Sequence, residues 1–159
     1  PQTSGEEPAL RWGHSMSAYR RYIVLFGGHR RRGCLNDVAM LDTETLSWSA
    51  PKVSGELPPP RGNHSAVVIE HKLWIFGGDA PLSSLLPQTV WALRLPSEAA
   101  RKRSEHANAA PQSDDGATAV WERVRTSGTA PPPCCDLAAA ACGSRVLLLG
   151  GSSGQGYMP

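Results

Sequence analysis

The chain repeats itself, and the repeat limits what it can fold into more than any other feature does. Ser4-Gly5-Glu6 leads through Pro8 to Arg11-Trp12-Gly13-His14-Ser15 and then to Tyr22-Ile23-Val24-Leu25-Phe26-Gly27-Gly28. Fifty residues on, with no gap, come Ser54-Gly55-Glu56, Pro58-Pro59-Pro60, Arg61-Gly62-Asn63-His64-Ser65 and Leu73-Trp74-Ile75-Phe76-Gly77-Gly78. A third copy follows 73 residues later as Ser127-Gly128, Pro131-Pro132-Pro133, Cys134-Cys135-Asp136-Leu137 and Val146-Leu147-Leu148-Leu149-Gly150-Gly151. Self-similarity at a fixed period of this length signals a repeat architecture, in which one supersecondary unit cannot bury its own apolar face and must stack on its neighbours.

The first copy holds four short apolar segments separated by turn chemistry: Ser15 to Tyr19, Tyr22 to Phe26, Asp37 to Asp42 and Leu46 to Ala50. That spacing belongs to an all-β fold, and the order predicts an antiparallel meander. Glycine (16) and proline (14) occupy 30 of 159 positions, which favours many turns and short elements over long helices. In the second copy Thr89 to Arg94 takes the third-strand role, displaced by 52 residues, and Trp121 takes the role of Trp48, displaced by 73. Two residues are therefore added between the second and third strands and 21 between the third and fourth. The larger insertion, about 97–118, is polar and aperiodic and reads as a flexible loop. The expected division is 1–53 for the first repeat, 54–126 for the second with its insertion, and 127–159 for the start of a third.

Taken together, Arg11 to His14, Leu25-Phe26-Gly27-Gly28, Asn36-Asp37, Leu41-Asp42-Thr43-Glu44-Thr45 and Trp48 resemble a complete kelch repeat. The second copy keeps Arg61, His64, Gly77, Gly78 and Trp121, but has Gln88-Thr89 where Asn-Asp stands in the first and Arg94 in place of Asp42. The third has Cys134 and Leu137 in place of the Arg and His. The resemblance implies a kelch-type β-propeller fragment of four-stranded antiparallel blades. Without the insertion the chain supplies about 2.7 blades, whereas a closed propeller needs at least about four. Remaining blades are expected in a parent chain, of which this one, beginning at Pro1, reads as an excerpt, or else in other chains that complete the ring.

Repetition also sorts the candidate site residues. The double glycines Gly27-Gly28, Gly77-Gly78 and Gly150-Gly151 suit positive φ and close chain approach. Trp48 and Trp121, at matched positions, read as packing between sheets. Arg11 with His14, and Arg61 with His64, read as a polar brace that satisfies backbone carbonyls beneath the loops, rather than as an anion clamp or a base. Gly150 to Gly156 has the order GxxGxG without Gly-Lys-Ser/Thr or a following helix, which argues against a phosphate loop. The cysteines Cys34, Cys134, Cys135 and Cys142 form no CxxC pair, and a reducing compartment is the default. No nucleophilic triad and no metal or other cofactor is expected from these residues.

One charged feature lies outside the repeat. His29-Arg30-Arg31-Arg32 follows a double glycine where the second copy has Asp79-Ala80-Pro81-Leu82-Ser83-Ser84-Leu85-Leu86. Loops of a meander alternate between its two ends, so the second-to-third loops share a rim with the links between blades. Arg11, Arg30, Arg31, Arg32, Arg61, Asp79, Ser83, Ser84, Gln88, Ser153, Gln155 and Tyr157 should gather there, with the insertion on the other rim. Guanidinium forks suit carboxylates and phosphates, and Leu85-Leu86 could add an apolar anchor. A merely solvated loop is the alternative. Arg101-Lys102-Arg103 reads as a weak nuclear-import signal.

The formal charge of +2 removes the argument for nucleic acid, and no apolar run is long enough to cross a bilayer. The resemblance implies a non-catalytic interaction module, adaptor or scaffold; the arginine run points to an acidic or phosphorylated protein partner on the rim, and the cysteine usage with the weak import signal points to the cytoplasm or nucleus. The family also includes metal-dependent enzymes, both copper oxidases and iron-dependent specifier proteins, and propellers that regulate an attached catalytic domain, and both classes stand as alternatives.

Overall fold

The computed structural model describes residues 2–80, 84–97, 118–154, 156 and 157. The described residues form sixteen strands in three successive repeats, and no helix occurs among them. In the first, β1 (Ser4–Gly5), β2 (Ser15–Tyr19), β3 (Tyr22–Arg30), β4 (Gly33–Asp42) and β5 (Ser47–Ser49) form a sheet of order β1-β5-β4-β3-β2. In the second, β6 (Val53–Gly55), β7 (Ser65–Ile69), β8 (Lys72–Phe76), β11 (Trp91–Arg94) and β12 (Ala119–Arg123) take the order β6-β12-β11-β8-β7, while β9 (Asp79–Ala80) and β10 (Ser84–Leu85) form a small hairpin of their own. The third contributes β13 (Ala138–Cys142) with β14 (Arg145–Leu149), and β15 (Ser152–Ser153) with β16 (Gly156–Tyr157). The predicted insertion falls mostly on residues outside those described.

The four-stranded meander expected from the sequence is present in the first two sheets, and each gains one short outer strand. β1 pairs with β5 and β6 with β12, both in parallel. Register repeats with the sequence: Ser15 faces Phe26 and Tyr19 faces Tyr22, while Ser65 faces Phe76 and Ile69 faces Lys72. The tight turns between these strands place Arg20, Glu70 and Gly143 at φ of 56°, 55° and 60°, at matching positions of the three copies.

The main core is the interface of the first two sheets. Tyr19, Tyr22, Val24, Phe26 and Met40 from one side meet Leu73, Ile75, Trp91, Leu93 and Trp121 from the other. Alternation along each strand supplies both contacts of the second sheet, because its opposite face carries Val67, Phe76, Trp74 and Val90 onto Cys134, Leu137, Ala139 and Val146 of the third copy. Equivalent side chains thus do the same work one sheet further on, as Phe26 does in the first interface and Phe76 in the second.

The double glycines of the first two copies lie against the copy that follows, whereas a Cβ on Gly150 would meet nothing within 4 Å. Gly77 and Gly78 have φ of 64° and 101°, and a Cβ on Gly77 would come within 2.5 Å of the Cys134 carbonyl oxygen. The Gly78 amide donates to that same carbonyl at 2.9 Å. Glycine is needed here for both conformation and space.

Candidate functional site

Beyond the body of the first sheet, β3 and β4 continue into a projecting hairpin. A bulge between Phe26 and Gly28 resets the register to Gly28–Leu35, His29–Cys34 and Arg30–Gly33, leaving Arg31 and Arg32 at the tip. Hairpin β9–β10 and hairpin β15–β16 are its counterparts in the other two copies. Arg30, Arg31 and Arg32 are exposed, and no carboxylate among the described residues pairs with them. They border an open depression of about 490 Å³ with Leu35. Of the other rim candidates, Ser84 is exposed, Tyr157 is 94% exposed, and half-buried Ser153 donates its hydroxyl to the Gly156 carbonyl. Ser83 and Gln155 lie outside the described residues.

Arg11, Arg61 and Asp79 are placed beneath this surface. Arg11 donates through Nη1 to the Gly27 carbonyl at 3.0 Å and grips Asp37 with both Nη atoms, at 2.6 and 2.8 Å. Arg61 donates to the Gly77 carbonyl at 2.7 Å and, through Nε, to the Pro59 carbonyl at 3.2 Å. It is 1% exposed, and burial pulls its pKa down to about 10. Thr89 stands where the first copy has Asp37, and Arg61 pairs with no carboxylate among the described residues. Asp79, 5% exposed, accepts from His29 Nε2 at 3.0 Å and from Asn63 Nδ2, and cannot meet a partner at the surface. Gln88 spans copies: it donates to the Pro132 carbonyl at 2.9 Å and to Cys134 Sγ, as Asn36 does to the Pro58 carbonyl at 3.1 Å.

Of the motif histidines, His64 is buried in the brace layer and His14 is half-buried. His64 Nε2 meets Ser15 Oγ at 2.8 Å, and its ring stands edge-on to Phe26 at 5.2 Å. Neither His64 Nδ1 nor His14 Nδ1 has a hydrogen-bond partner among the described residues. Burial, helped by the charges of Arg61, His14 and His29, lowers the His64 pKa to about 3. The unfolded chain takes up this proton near pH 6.5 and the folded chain refuses it, so the stability His64 contributes is complete above that pH and is lost as pH falls towards 3. We expect about 2 kcal/mol less stability at pH 5 than at pH 7 from this residue. Urea denaturation of native and His64→Gln protein at both pH values measures it, and an equal pH dependence in the two would remove the assignment.

Sequence reasoning singled out neither Trp12, Cys34 nor Asn63 and took His29 only as part of a basic run. Trp12, 58% exposed, stacks on the His29 ring at 5.6 Å, and Cys34 Sγ lies 3.1 Å from His29 Nδ1. The available signal was the opposite of repetition. At the bridge positions Trp12–His29, Gly62–Asp79 and Cys135–Ser152 the backbone pairing recurs while every side chain changes.

Stacked meanders, an arginine brace beneath the hairpins of the first two copies and a rim of unlike hairpins define a β-propeller segment. Residues 1–115 match the KLHDC2/KLHL20/DRC7 Kelch-repeats domain, and the chain belongs to the kelch-repeat family. It is 29% identical over 148 residues to the Rho GTPase-activating protein gacHH of Dictyostelium discoideum, covering 91% of this chain and 8% of that protein. It is 37% identical over 89 residues to host cell factor of Drosophila melanogaster, covering 52% of this chain and 6% of that protein. It is 34% identical over 91 residues to Kelch repeat-containing protein 2 of Saccharomyces cerevisiae, covering 51% of this chain and 10% of that protein. The chain therefore spans a tenth or less of each of these relatives.

Proposed function

We propose that this protein is an interaction module whose arginine hairpin holds an acidic or phosphorylated segment of a partner protein, acting as adaptor or scaffold in the cytoplasm or nucleus. The carrying observation is the set of exposed guanidiniums Arg30, Arg31 and Arg32, unpaired among the described residues and bordering a depression that also offers apolar Leu35. Planar forks of this kind form paired, charge-assisted hydrogen bonds with carboxylate and phosphate oxygens. Arg11 and Arg61, already bonded below, hold the rim in place.

Fluorescence polarisation with arrayed acidic and phosphorylated peptides tests the reading. Arg30→Ala, Arg31→Ala and Arg32→Ala combined should weaken the best binder at least about tenfold, and raised salt should weaken the native complex. Unchanged binding of every peptide would reject the rim as the contact surface.

A second reading rests on the relative named as a Rho GTPase-activating protein, whose similarity covers 91% of this chain. In it the propeller segment serves a catalytic domain of a longer protein, and the rim would hold that domain instead of a separate partner.

A further inference from the structure

The hairpin has a second face. His29 and Cys34 are cross-strand partners, so their side chains leave the sheet on the side opposite to Arg30 and Leu35. There Cys34 Sγ lies 3.1 Å from His29 Nδ1, and His29 Nε2 lies 3.0 Å from Asp79 Oδ1. With Asp79 accepting from Nε2–H, Nδ1 is left to accept from the thiol. Asn63 Nδ2 donates to both Asp79 oxygens, at 3.3 and 3.4 Å, and fixes the carboxylate. A nucleophile within reach of a base, itself oriented by a third group, is the arrangement that activates a thiol.

Two independent observations show the cluster to be built rather than incidental. It spans two repeats and recurs in neither of the others, where His29 is replaced by Asp79 and Ser152, so the fold does not require it. The His29 ring also lies directly on Gly62, where an added Cβ would come within 2.1 Å of its Cδ2. Gly62 therefore makes the seat for a side chain from the preceding repeat.

We propose that Cys34 is a reactive thiol that undergoes exchange with small-molecule disulfides, with His29 as its base and Asp79 and Asn63 as positioning residues. The Cys34 proton passes to His29 Nδ1 as sulfur attacks one sulfur of the disulfide. The disulfide S–S bond breaks, a Cys34–S–S–R bond forms, and the departing thiolate takes the proton and leaves as R–SH. Two electrons pass from Cys34 to the disulfide, and no other oxidant is needed.

Burial and the charge of Asp79 hold the Cys34 thiol above its usual pKa, so the resting sulfur is protonated. An unassisted Cys34 would accordingly be slower than the exposed Cys142, and this makes the test sharp. Oxidised glutathione is the probe, with site-resolved mass spectrometry following each cysteine of the full chain. Cys34 should form its mixed disulfide at least about tenfold faster than Cys142 at pH 7, and its rate should flatten below the thiol range instead of climbing to it. His29→Ala should bring Cys34 to or below the Cys142 rate, with Cys142 unchanged. Gly62→Ala, which removes neither the thiol nor the imidazole but drives a Cβ into the His29 ring, should do the same. A native Cys34 slower than Cys142, or a Cys34 rate indifferent to both substitutions in chains that still melt cooperatively, would overturn the proposal.

Discussion

Trp121→Ala should lower the unfolding free energy by about 3–5 kcal/mol, while Trp48→Ala should lower it by only about 1 kcal/mol. The two tryptophans hold matched positions, Leu41 pairing with Trp48 and Leu93 with Trp121. Their surroundings differ. Trp121 is 2% exposed, and its ring lies 4.9 Å from that of Phe26 in the core between the first two sheets. Its Nε1 has no hydrogen-bond partner among the described residues, so truncation removes packing alone and strands no partner group there. Trp48 is half-buried, because its face of the first sheet turns away from the second. Denaturation followed by far-ultraviolet circular dichroism reads both variants without depending on tryptophan fluorescence. Equal losses would show that the first two sheets do not stack through the face assigned to them.

That asymmetry marks where the sequence stops being informative. The period and the apolar alternation carry the meander and its register, because each copy states them again. The fold class and family were legible for that reason. Repeat equivalence cannot say which copies have neighbours, and so it made Trp48 and Trp121 look alike. The outer strands Ser4–Gly5 and Val53–Gly55 escaped because segments of two or three residues show no alternation. The hairpin escaped for another reason: past the double glycine the backbone pairing continues through Gly, His and Arg residues that look like a loop. Once the turn is placed at Arg31-Arg32, a period of two puts His29 opposite Cys34, so that contact was within reach of the sequence. The inward turn of Asp79 was not, since it depends on a histidine 50 residues upstream.

Arg61→Ala should cost about 3 kcal/mol, and Thr89→Asp should add about 1–2 kcal/mol to the native chain. Alanine at position 61 leaves the Gly77 and Pro59 carbonyls without their donor and opens space where a fully buried side chain stood. The loss is held down because a buried guanidinium with no counterion is itself expensive, as the lowered pKa of Arg61 records. Arg11 shows the missing piece. It makes the same bond to the first glycine of its copy and adds two bonds to Asp37, the position that Thr89 fills in the second copy. A carboxylate at 89 would meet the guanidinium, and the pairing would hold its pKa below the unfolded value. The added stability would therefore be complete above about pH 4 and lost as pH falls through the lowered value. In the Arg61→Ala background the same aspartate has no guanidinium to meet and should give no gain, so the double-mutant cycle should return a coupling of at least about 1 kcal/mol. A cycle that closes to zero would show that position 89 does not face Arg61 as Asp37 faces Arg11, and the equivalence of the two braces would fail.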